Sequence, residues 1–346
     1  MPDSHWQAWT KLVSSHDEFD SPFFRPELTR AVAAVRDDVE LAVALNDDEP
    51  VAFFPFQRRG RNACQPVTGR LSEFHGVVAK PDASWSPPEL MRGARLRGWH
   101  FDHLPATQTQ FQPYVWGHSE SPYIDLSKGY DQYRDTLKRS GSSLSQVERK
   151  RRKMAREVGE LRFEVHADDD AAFELLRQWK TEQHARTGVL QIFTIDWVNR
   201  LLDDLRHCHS PEWAGVFSVL YAAGEPVAVH LGIRSRNALH IWFPAYNVAF
   251  EKYSPGLILL LDLARESAAL GIERIDMGRG EERYKTNFKS ADIMIAEGMI
   301  DELRANARAR KAWYDVKRRI RNSGWRRQLE LPLLATRRFR QWIQFS

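Results

Sequence analysis

The sequence predicts an α/β protein made of two similar halves in tandem, each a mixed sheet flanked by helices, followed by a basic helical C-terminal tail. A predicted β-hairpin carries the tetrapeptide Glu-Pro-Val-Ala at both Glu49 and Glu225. The segment from Leu239 to Lys289 is typical of a strand, a tight loop, a buried helix and a short strand. The 346 residues, 42% of them hydrophobic, are enough for two domains or one large domain with a substantial core.

The first half, residues 1–130, is predicted to begin with one or two short helices before residue 36. Alternating apolar residues and the turn chemistry of Asn46–Pro50 then predict a hairpin over residues 39–57. Residues 217–233 repeat this arrangement in the second half, residues 171–300.

The two halves share their order of elements as well as the tetrapeptide. About 50 residues after each tetrapeptide comes a short strand with an aspartate, Asp102 in the first half and Asp276 in the second. This order predicts a degenerate internal duplication, although turns favour Glu-Pro and strands favour Val-Ala in any protein. Residues 83–88 precede only a short candidate helix. The first half is therefore predicted to bind no cofactor, to complete the core and to form one wall of an acceptor groove.

Residues 131–170 are predicted to be a basic helical connection between the halves. The run Arg149-Lys150-Arg151-Arg152-Lys153 lies within it. One interpretation is a solvated helix face. The other interpretation is a clamp for an anionic substrate or for the phosphates of a donor molecule, because clustered cations raise the local concentration of anions.

The second half contains a predicted anion site at the start of a helix. Leu239–Tyr246 has the aromatic and apolar residues of a buried strand. Pro255 suits a first helical turn, Ser254 is expected to cap that turn, and Gly256 allows a ligand to approach the backbone. The free N–H groups at this helix start would face a phosphate.

The helix itself is predicted to be buried on most sides. From Leu257 to Leu270 the apolar residues lie nearly all round, and Gly271 ends the helix. Ile272–Met277 is predicted to be a short strand, after which the turn Gly278–Gly280 leads into a charged segment.

The pattern YSPGLILLLDLA followed by GIERIDMGRGEERYKTNF resembles the acyltransferase domain of the CelD-like branch of the GNAT superfamily. It is more distantly similar to FemAB-type aminoacyltransferases. The match covers roughly residues 178–300. It implies two GNAT-like halves, of which the second is catalytic and the first degenerate.

The resemblance also implies a donor site. In this superfamily the loop before the central helix holds the pyrophosphate of coenzyme A through backbone N–H groups, and the acceptor lies between the flanking strands. The implied donor is acetyl-CoA or another acyl-CoA, with no metal. The implied donor-binding residues are Tyr253, Ser254, Gly256, Leu257 and Arg279.

Acyl transfer from a thioester needs a base for the acceptor proton, donors for the developing oxyanion and an acid for the leaving thiolate. Asp276 is predicted to orient the acceptor or to act as the base, with a structural turn-capping role as the alternative. His230 is a second candidate base because imidazole titrates near neutrality. Its alternative is a core histidine with its hydrogen bonds satisfied.

Two further candidates follow the Gly-Arg-Gly turn. The resemblance implies that Tyr284 protonates the leaving thiolate; the alternative is packing against Phe288. Lys285, like Arg279, is predicted to hold phosphate or polarise a carbonyl. The alternative for both cations is a surface salt bridge with a neighbouring glutamate.

The C-terminal tail, residues 301–346, is chemically different from the rest of the chain. Its thirteen Lys or Arg residues against four Asp or Glu give a charge of +9, whereas the whole chain carries +4. The aromatic and apolar residues among the arginines suit contact with an anionic membrane surface or a partner complex. A helix packed on the domain is the alternative. The side chains concerned are Trp313, Trp325, Phe339, Trp342, Ile343 and Phe345.

Composition favours a cytoplasmic protein, peripheral to the membrane if the tail attaches there. Cys64 and Cys208 form no disulfide framework or zinc pattern, and no signal-like or membrane-spanning segment is evident.

The predicted function is N- or O-acylation of an amine or hydroxyl from acyl-CoA. The CelD-like resemblance implies a small-molecule or glycan acceptor and a role in polysaccharide biosynthesis. One alternative is FemAB-like transfer from aminoacyl-tRNA, the only nucleic acid expected as a partner. The other alternative is a non-catalytic scaffold of a polysaccharide-synthesis complex.

Overall fold

The computed structural model describes residues 2–141, 143–188, 190–302 and 305–321. The helices in these ranges are α1 (Asp3–Ser14), α2 (Pro26–Val35), α3 (Pro87–Gly93), α4 (Gly129–Arg139), α5 (Leu144–Glu157), α6 (Asp170–Thr187), α7 (Asp196–Arg206), α8 (Pro255–Ala269), α9 (Arg283–Phe288) and α10 (Ala305–Arg321). The strands are β1 (Val39–Asn46), β2 (Glu49–Arg59), β3 (Ala63–Gln65), β4 (Val78–Ala79), β5 (Gly98–Pro105), β6 (Val115–Asp125), β7 (Leu161–Glu164), β8 (Ala214–Ala222), β9 (Glu225–Arg234), β10 (Ala238–Tyr246), β11 (Arg274–Asp276) and β12 (Ala291–Asp301).

These strands form one mixed sheet. Their order is β1-β2-β3-β5-β12-β6-β11-β10-β9-β8-β7, and β4 pairs with β2 beside this path. The pairs β3–β5 and β10–β11 are parallel. The sheet confirms the predicted α/β class and its mixed character.

Strand β8 is buried on both faces of the sheet, since every residue from Ala214 to Ala222 is buried. Because successive side chains point to opposite faces, Phe217 and Val219 join one hydrophobic core, whereas Val216 and Leu220 join another. The first core also takes residues from α1, α2, α6 and α7, and the second takes residues from α4, α5 and α8. Helices therefore cover both faces.

The two halves exchange a strand. β6, from the first half, pairs with β11 of the second half, and β12, from the second half, pairs with β5 of the first. β6 and β12 also pair with each other, from Ala291 opposite Tyr123 to Gly298 opposite Val115. Each half thus completes the sheet of the other. The predicted boundaries near residues 130, 170 and 300 fall beside element ends in one continuous sheet.

Both predicted hairpins are confirmed, as β1–β2 and β8–β9. Their turns have the same backbone form. Asp47 and Asp48 have φ of 47° and 64°, and Ala223 and Gly224 have φ of 52° and 86°. Two consecutive positive φ angles match the twist of the flanking strands in a two-residue hairpin turn.

The remaining predicted elements occur with small shifts of their ends. The basic connection is two helices, α4 and α5, and the short strand after the central helix is limited to β11. The tail is helical over α10, which includes Trp313, while residues 322–346, with the other predicted tail aromatics, lie outside the described residues. Within the part of the chain that the structure describes, no helix is long and apolar enough to cross a membrane.

Candidate active site

Strands β10 and β11 diverge after a short parallel contact. They pair only from Ala238 opposite Arg274 to His240 opposite Asp276, where β11 ends, whereas β10 continues to Tyr246. Helix α8 connects the two strands and begins near the far end of β10. In open α/β sheets, ligands bind outside the carboxyl ends of such strands. We call the region between the two diverging strands the strand gap; His240 and Asp276 mark its closed end.

The start of α8 leaves the backbone amide of Gly256 available. Pro255 has no N–H group, and the N–H groups of Leu257 and Ile258 donate to the Ser254 carbonyl at 3.0 and 3.2 Å. Gly256 occupies the first turn, where helical geometry offers its amide no acceptor within the helix. A Cβ atom added at Gly256 would meet only the Tyr246 ring, at 3.5 Å. An anion can therefore approach this amide.

The predicted capping by Ser254 is wrong. Ser254 has a left-handed backbone, with φ of 54° and ψ of 55°, and its side chain caps none of the first-turn amides. A serine that caps a helix normally has an extended backbone, which directs its oxygen at those amides. Here Ser254 Oγ instead accepts a hydrogen bond from Lys150 Nζ at 2.7 Å.

Helix α5 packs against residues 253–257 at the start of α8. We call these residues the donor loop, because the implied donor-binding backbone lies there. Besides the Lys150 contact, Tyr253 donates its hydroxyl hydrogen to Glu157 at 2.9 Å, and Arg151 binds the buried Asp262 of α8 at 2.6 Å. The Tyr253 side chain is buried, so the backbone is the part of this residue that can meet a ligand. The basic run is thus divided. One cation lies at the donor loop, and Arg149, Arg152 and Lys153 remain exposed.

Asp276 forms a buried ion pair. Its two carboxylate oxygens accept hydrogen bonds from Arg274 at 2.9 and 3.4 Å, and Arg274 also donates to the carbonyl of Asp20. Burial raises the pKa of Asp276, although Arg274 opposes this. Since both oxygens bind Arg274, the geometry favours a structural role for this carboxylate over a role as base.

Lys285 organises the turn that follows β11. Its Nζ atom donates to the carbonyls of Gly278 and Arg279 at 3.0 and 3.2 Å and lies 3.3 Å from Glu282. The buried ammonium therefore holds the Gly-Arg-Gly turn.

Tyr284, one residue before Lys285 on α9, is partly buried. Burial and the nearby carboxylates of Glu282 and Glu73 raise its pKa. Its phenol is protonated at neutral pH, which is the state that a proton donor to a thiolate needs.

His230 lies inside the sheet, on β9. Its side chain is fully buried, and neither ring nitrogen has a hydrogen-bond partner among the described residues. Burial and the nearby Lys180 lower its pKa to about 3. A group with this pKa is a weak base at neutral pH, so the environment does not suit the predicted role. The alternative prediction, that His230 is a core histidine with its hydrogen bonds satisfied, does not hold among the described residues either.

The structure places Arg279 at the junction of the halves. Its guanidinium donates to the carbonyl of Asp102 at 3.4 Å and lies 3.9 Å from Glu297. These contacts are with β5 and β12, so the side chain is directed to the first half of the sheet. Neither contact involves another of the implied donor-binding residues.

A cluster of polar side chains that the sequence analysis does not identify lies at this junction. We call Glu73, His75, Asp102 and His103 the junction cluster. His103 Nδ1 lies 3.0 Å from Asp102 Oδ1, and His103 Nε2 lies 3.5 Å from Glu73 Oε2. The only signal in the sequence is the repeated combination of acid and histidine in EFH at residues 73–75 and FDH at residues 101–103.

The electrostatics of the junction cluster differ from one group to the next. Burial lowers the pKa of His103, but the hydrogen bond and charge of Asp102 outweigh burial, so the net pKa is raised. Burial would raise the pKa of Asp102, yet His103 holds it well below its usual range. Burial raises the pKa of Glu73. It also lowers the pKa of His75 to about 3. Perturbed groups that lie together in this way mark a candidate functional site.

One family model matches part of the chain, from α5 to α9. Residues 141–286 match the family model described as an acetyltransferase (GNAT) domain. No curated protein matches the chain.

Solved structures share the fold of both halves. The C-terminal domain of a putative lysylphosphatidylglycerol synthetase from Agrobacterium fabrum superposes with a TM-score of 0.54 at 14% identity, covering 90% of this chain and 95% of that one. FemX superposes with a TM-score of 0.57 at 10% identity, covering 86% of this chain and 95% of that one. At these identities the comparison establishes the fold alone.

The match to the GNAT domain includes the donor loop, Asp276, Tyr284 and Lys285, while the junction cluster lies outside the matched residues. No group of three or more His, Cys, Asp or Glu side chains in the described ranges is arranged to hold a metal ion.

Proposed function

We propose that this protein transfers an acyl group from a coenzyme A thioester to an amine or hydroxyl acceptor. The observation that carries the proposal is the strand gap, with the available first-turn amide of Gly256 in α8 at its open end. The donor's pyrophosphate binds the amide of Gly256 and the neighbouring backbone of Tyr253, Ser254 and Leu257. Its pantetheine arm then extends into the gap towards His240.

Lys150 strengthens this donor site. Its ammonium reaches Ser254 Oγ at 2.7 Å, so it lies beside the same backbone donors. A helix N-terminus and a nearby cation both favour a phosphate. The interpretation of the basic run as a phosphate clamp therefore applies to Lys150.

The chemistry is divided among the residues around the closed end of the gap. Tyr284 donates its proton to the leaving thiolate. Lys285 positions the Gly-Arg-Gly turn through its bonds to two carbonyls. Asp276 fixes the end of β11 through Arg274. The CelD-like resemblance extends the proposal to a sugar, nucleotide-sugar or lipid-linked glycan as the acceptor.

Calorimetric titration with coenzyme A and acetyl-CoA tests the donor site. We expect saturable binding, and we expect Gly256→Glu to weaken it at least 100-fold, or about 3 kcal/mol, because a carboxylate would occupy the phosphate position. Gly256 has room for a side chain, so the fold should persist. Leu270→Glu, an exposed position just beyond the other end of α8, adds the same charge and should bind normally. Normal binding by Gly256→Glu would contradict this placement of the donor.

A second candidate is transfer of an aminoacyl group from tRNA. The exposed cations of α5 favour it, because Arg149, Arg152, Lys153 and Arg156 extend from the donor loop as a basic surface. The fold shared with FemX and with a putative lysylphosphatidylglycerol synthetase, whose name denotes an aminoacylated lipid, is consistent with it.

Titration with tRNA at several salt concentrations separates the two candidates. Phosphate contacts make nucleic-acid affinity fall steeply with salt. If the donor is tRNA, Arg149→Glu with Arg152→Glu should abolish tRNA binding, and coenzyme A should bind neither protein. If the donor is acyl-CoA, the doubly substituted protein should bind coenzyme A nearly as well as the wild type, because Lys150 is retained.

A further inference from the structure

The junction cluster contains two hydrogen-bond acceptors that face each other. His103 Nδ1 donates to the Asp102 carboxylate at 3.0 Å, which leaves Nε2 of the neutral ring as an acceptor. Glu73 Oε2 lies 3.5 Å from this Nε2 atom. Oε2 is buried and has no hydrogen-bond partner among the described residues. While His103 is neutral, these two acceptors require a donor between or beside them; when His103 is protonated, its own Nε2–H group points at Glu73.

His75 holds the backbone beneath this pair. Its Nε2 atom accepts hydrogen bonds from the amides of both Asp102 and His103, at 3.1 and 3.2 Å. The amide of His75 in turn donates to the carbonyl of His103 at 3.2 Å. The segment that carries Glu73 is thereby fixed to β5, so the facing acceptors keep their separation.

The pair lies at the closed end of the strand gap. A Cβ atom added at Gly278, two residues after β11, would lie 3.2 Å from Glu73 Oε2 and 3.6 Å from Nε2 of His240. Tyr284 is close enough for the Glu73 carboxylate to help raise its pKa. The first half therefore reaches the place where a donor thioester in the gap would end. The cluster lies near the surface there, since 45% of Asp102, 28% of Glu73 and 14% of His103 are exposed, while the Oε2 atom of Glu73 is itself buried.

We propose that the first half supplies the acceptor site of this transferase, in which Glu73 binds a primary amine and His103 Nε2 removes a proton from it. This inference rests on the proposed acyl transfer and names its acceptor class. Asp102 and His75 are positioning residues, since both act through His103 and the backbone of β5.

The number of hydrogens favours an amine over a hydroxyl. A primary ammonium has three N–H donors and a neutral amine has two, so either can satisfy Glu73 Oε2 and His103 Nε2 together. A hydroxyl has one hydrogen and would leave one acceptor unpaired, which is costly in a buried site. The nearby cations cannot replace the ligand, because Lys285 and Arg279 donate to carbonyl groups of the chain.

The proposed step is balanced within these residues and solvent. The ammonium first loses one proton through His103 to solvent. The neutral amine nitrogen then attacks the thioester carbonyl carbon, so that a C–N bond forms and the C–S bond breaks. His103 Nε2 takes the proton released from nitrogen, and the thiolate takes the phenolic proton of Tyr284. The proton on His103 returns to the Tyr284 phenolate through solvent, which restores both groups.

Release of free thiol from acetyl-CoA, with n-butylamine or n-butanol as matched acceptors, tests the proposal. We expect butylamine to accelerate release by the wild-type protein and butanol to have a much smaller effect. His103→Gln and Glu73→Gln should each lower the butylamine-dependent rate at least 100-fold while coenzyme A binds as in the wild type. His207→Gln and Glu225→Gln, at exposed positions just after α7 and at the start of β9, should keep the full rate.

The pH dependence provides a readout that a purely structural role would not change. The charge of Glu73 helps to raise the pKa of His103, so the residual butylamine-dependent rate of Glu73→Gln should reach its plateau at a lower pH than that of the wild type. The other titratable or charged groups that face this pair are Asp102, His75, His100, His240, Arg279 and Lys285.

Three other results would contradict the proposal, and each would identify which part of it is wrong. Full butylamine-dependent rates in His103→Gln and Glu73→Gln would exclude these residues as the acceptor site. Equal acceleration by butanol, or none by butylamine while coenzyme A binds, would exclude the amine class. Failure of the wild-type protein to bind coenzyme A would refute the proposed donor instead, and the inference with it.

Discussion

The two halves share a hairpin and a strand order, but the connections that follow differ. In the second half, the connection from β10 to β11 contains α8, a helix of 15 residues whose first turn has no side-chain cap. In the first half, the connection to β5 contains α3, a helix of seven residues whose first turn is capped by Ser86 through the amide of Glu89. The comparison teaches that the strands provide a shared framework, while the proposed phosphate site depends on the uncapped start of a long helix, which only the second half has among the two connections.

The aspartates at the matching strands differ as strongly. The Asp276 side chain is 1% exposed and is held by Arg274, whereas the Asp102 side chain is 45% exposed and binds His103. The half that we propose to bind the donor therefore has its aspartate in a structural ion pair, and the other half has its aspartate in the junction cluster. The two aspartates occupy matching positions in the two halves, but they differ in burial and in the neighbouring cation. These two differences, and not the matching position, separate their proposed roles.

The largest expected effect comes from removing the charge of each aspartate in turn. Asp276→Asn should lower the free energy of unfolding by about 3 kcal/mol, because it leaves Arg274 largely buried without its partner. Asp102→Asn should cost less than about 1 kcal/mol, because this carboxylate is accessible to solvent. Urea unfolding of both proteins measures the difference, and equal losses would contradict the assignment of structural and junction roles.

A smaller effect should appear in the pH dependence of Asp102→Asn. Asp102 raises the pKa of His103, so the pair stabilises the fold while His103 is protonated, and this contribution is lost as pH rises through the raised pKa. The substitution should therefore destabilise the protein more at pH 6 than at pH 9. Unfolding curves of the wild type and the variant at both pH values provide the test. A larger loss at pH 9 would have the wrong sign for this account.

The smallest effect concerns the matching hairpin turns. Ala223→Gly should raise the free energy of unfolding by about 0.5 kcal/mol, because alanine resists a positive φ angle and glycine does not. Asp47→Gly should change stability less, since aspartate tolerates this conformation better. Thermal unfolding distinguishes the two, and a loss of stability in Ala223→Gly would show that its φ carries no strain.

Local patterns were sufficient to predict the hairpins and the buried α8 with its starting residue, because alternation, turn residues and apolar periodicity all act within a few residues. The exchange of β6 and β12 could not be predicted in this way, since each strand pairs with residues more than 140 positions distant. The junction cluster was missed for the same reason. Glu73 and His103 meet only after their segments fold together, and Glu73 meets Gly278 only when the two halves join in one sheet.

The Ser254 cap shows a different limit. The residue type and its place before Pro255 fit a cap, but the left-handed backbone is set by packing of the preceding turn against α5, which carries Lys150 and Glu157. Residue propensities predicted the start of α8 correctly, but they predicted the wrong hydrogen-bond partner for the Ser254 side chain.

The most direct test of the central claim is the stoichiometry of coenzyme A binding, measured by calorimetry on the wild type, Gly256→Glu and Pro88→Glu. Pro88 is exposed and occupies in α3 the position that Gly256 occupies in α8. The account predicts one site per chain, lost in Gly256→Glu and retained in Pro88→Glu. Two sites per chain, or loss of binding in Pro88→Glu with retention in Gly256→Glu, would contradict it.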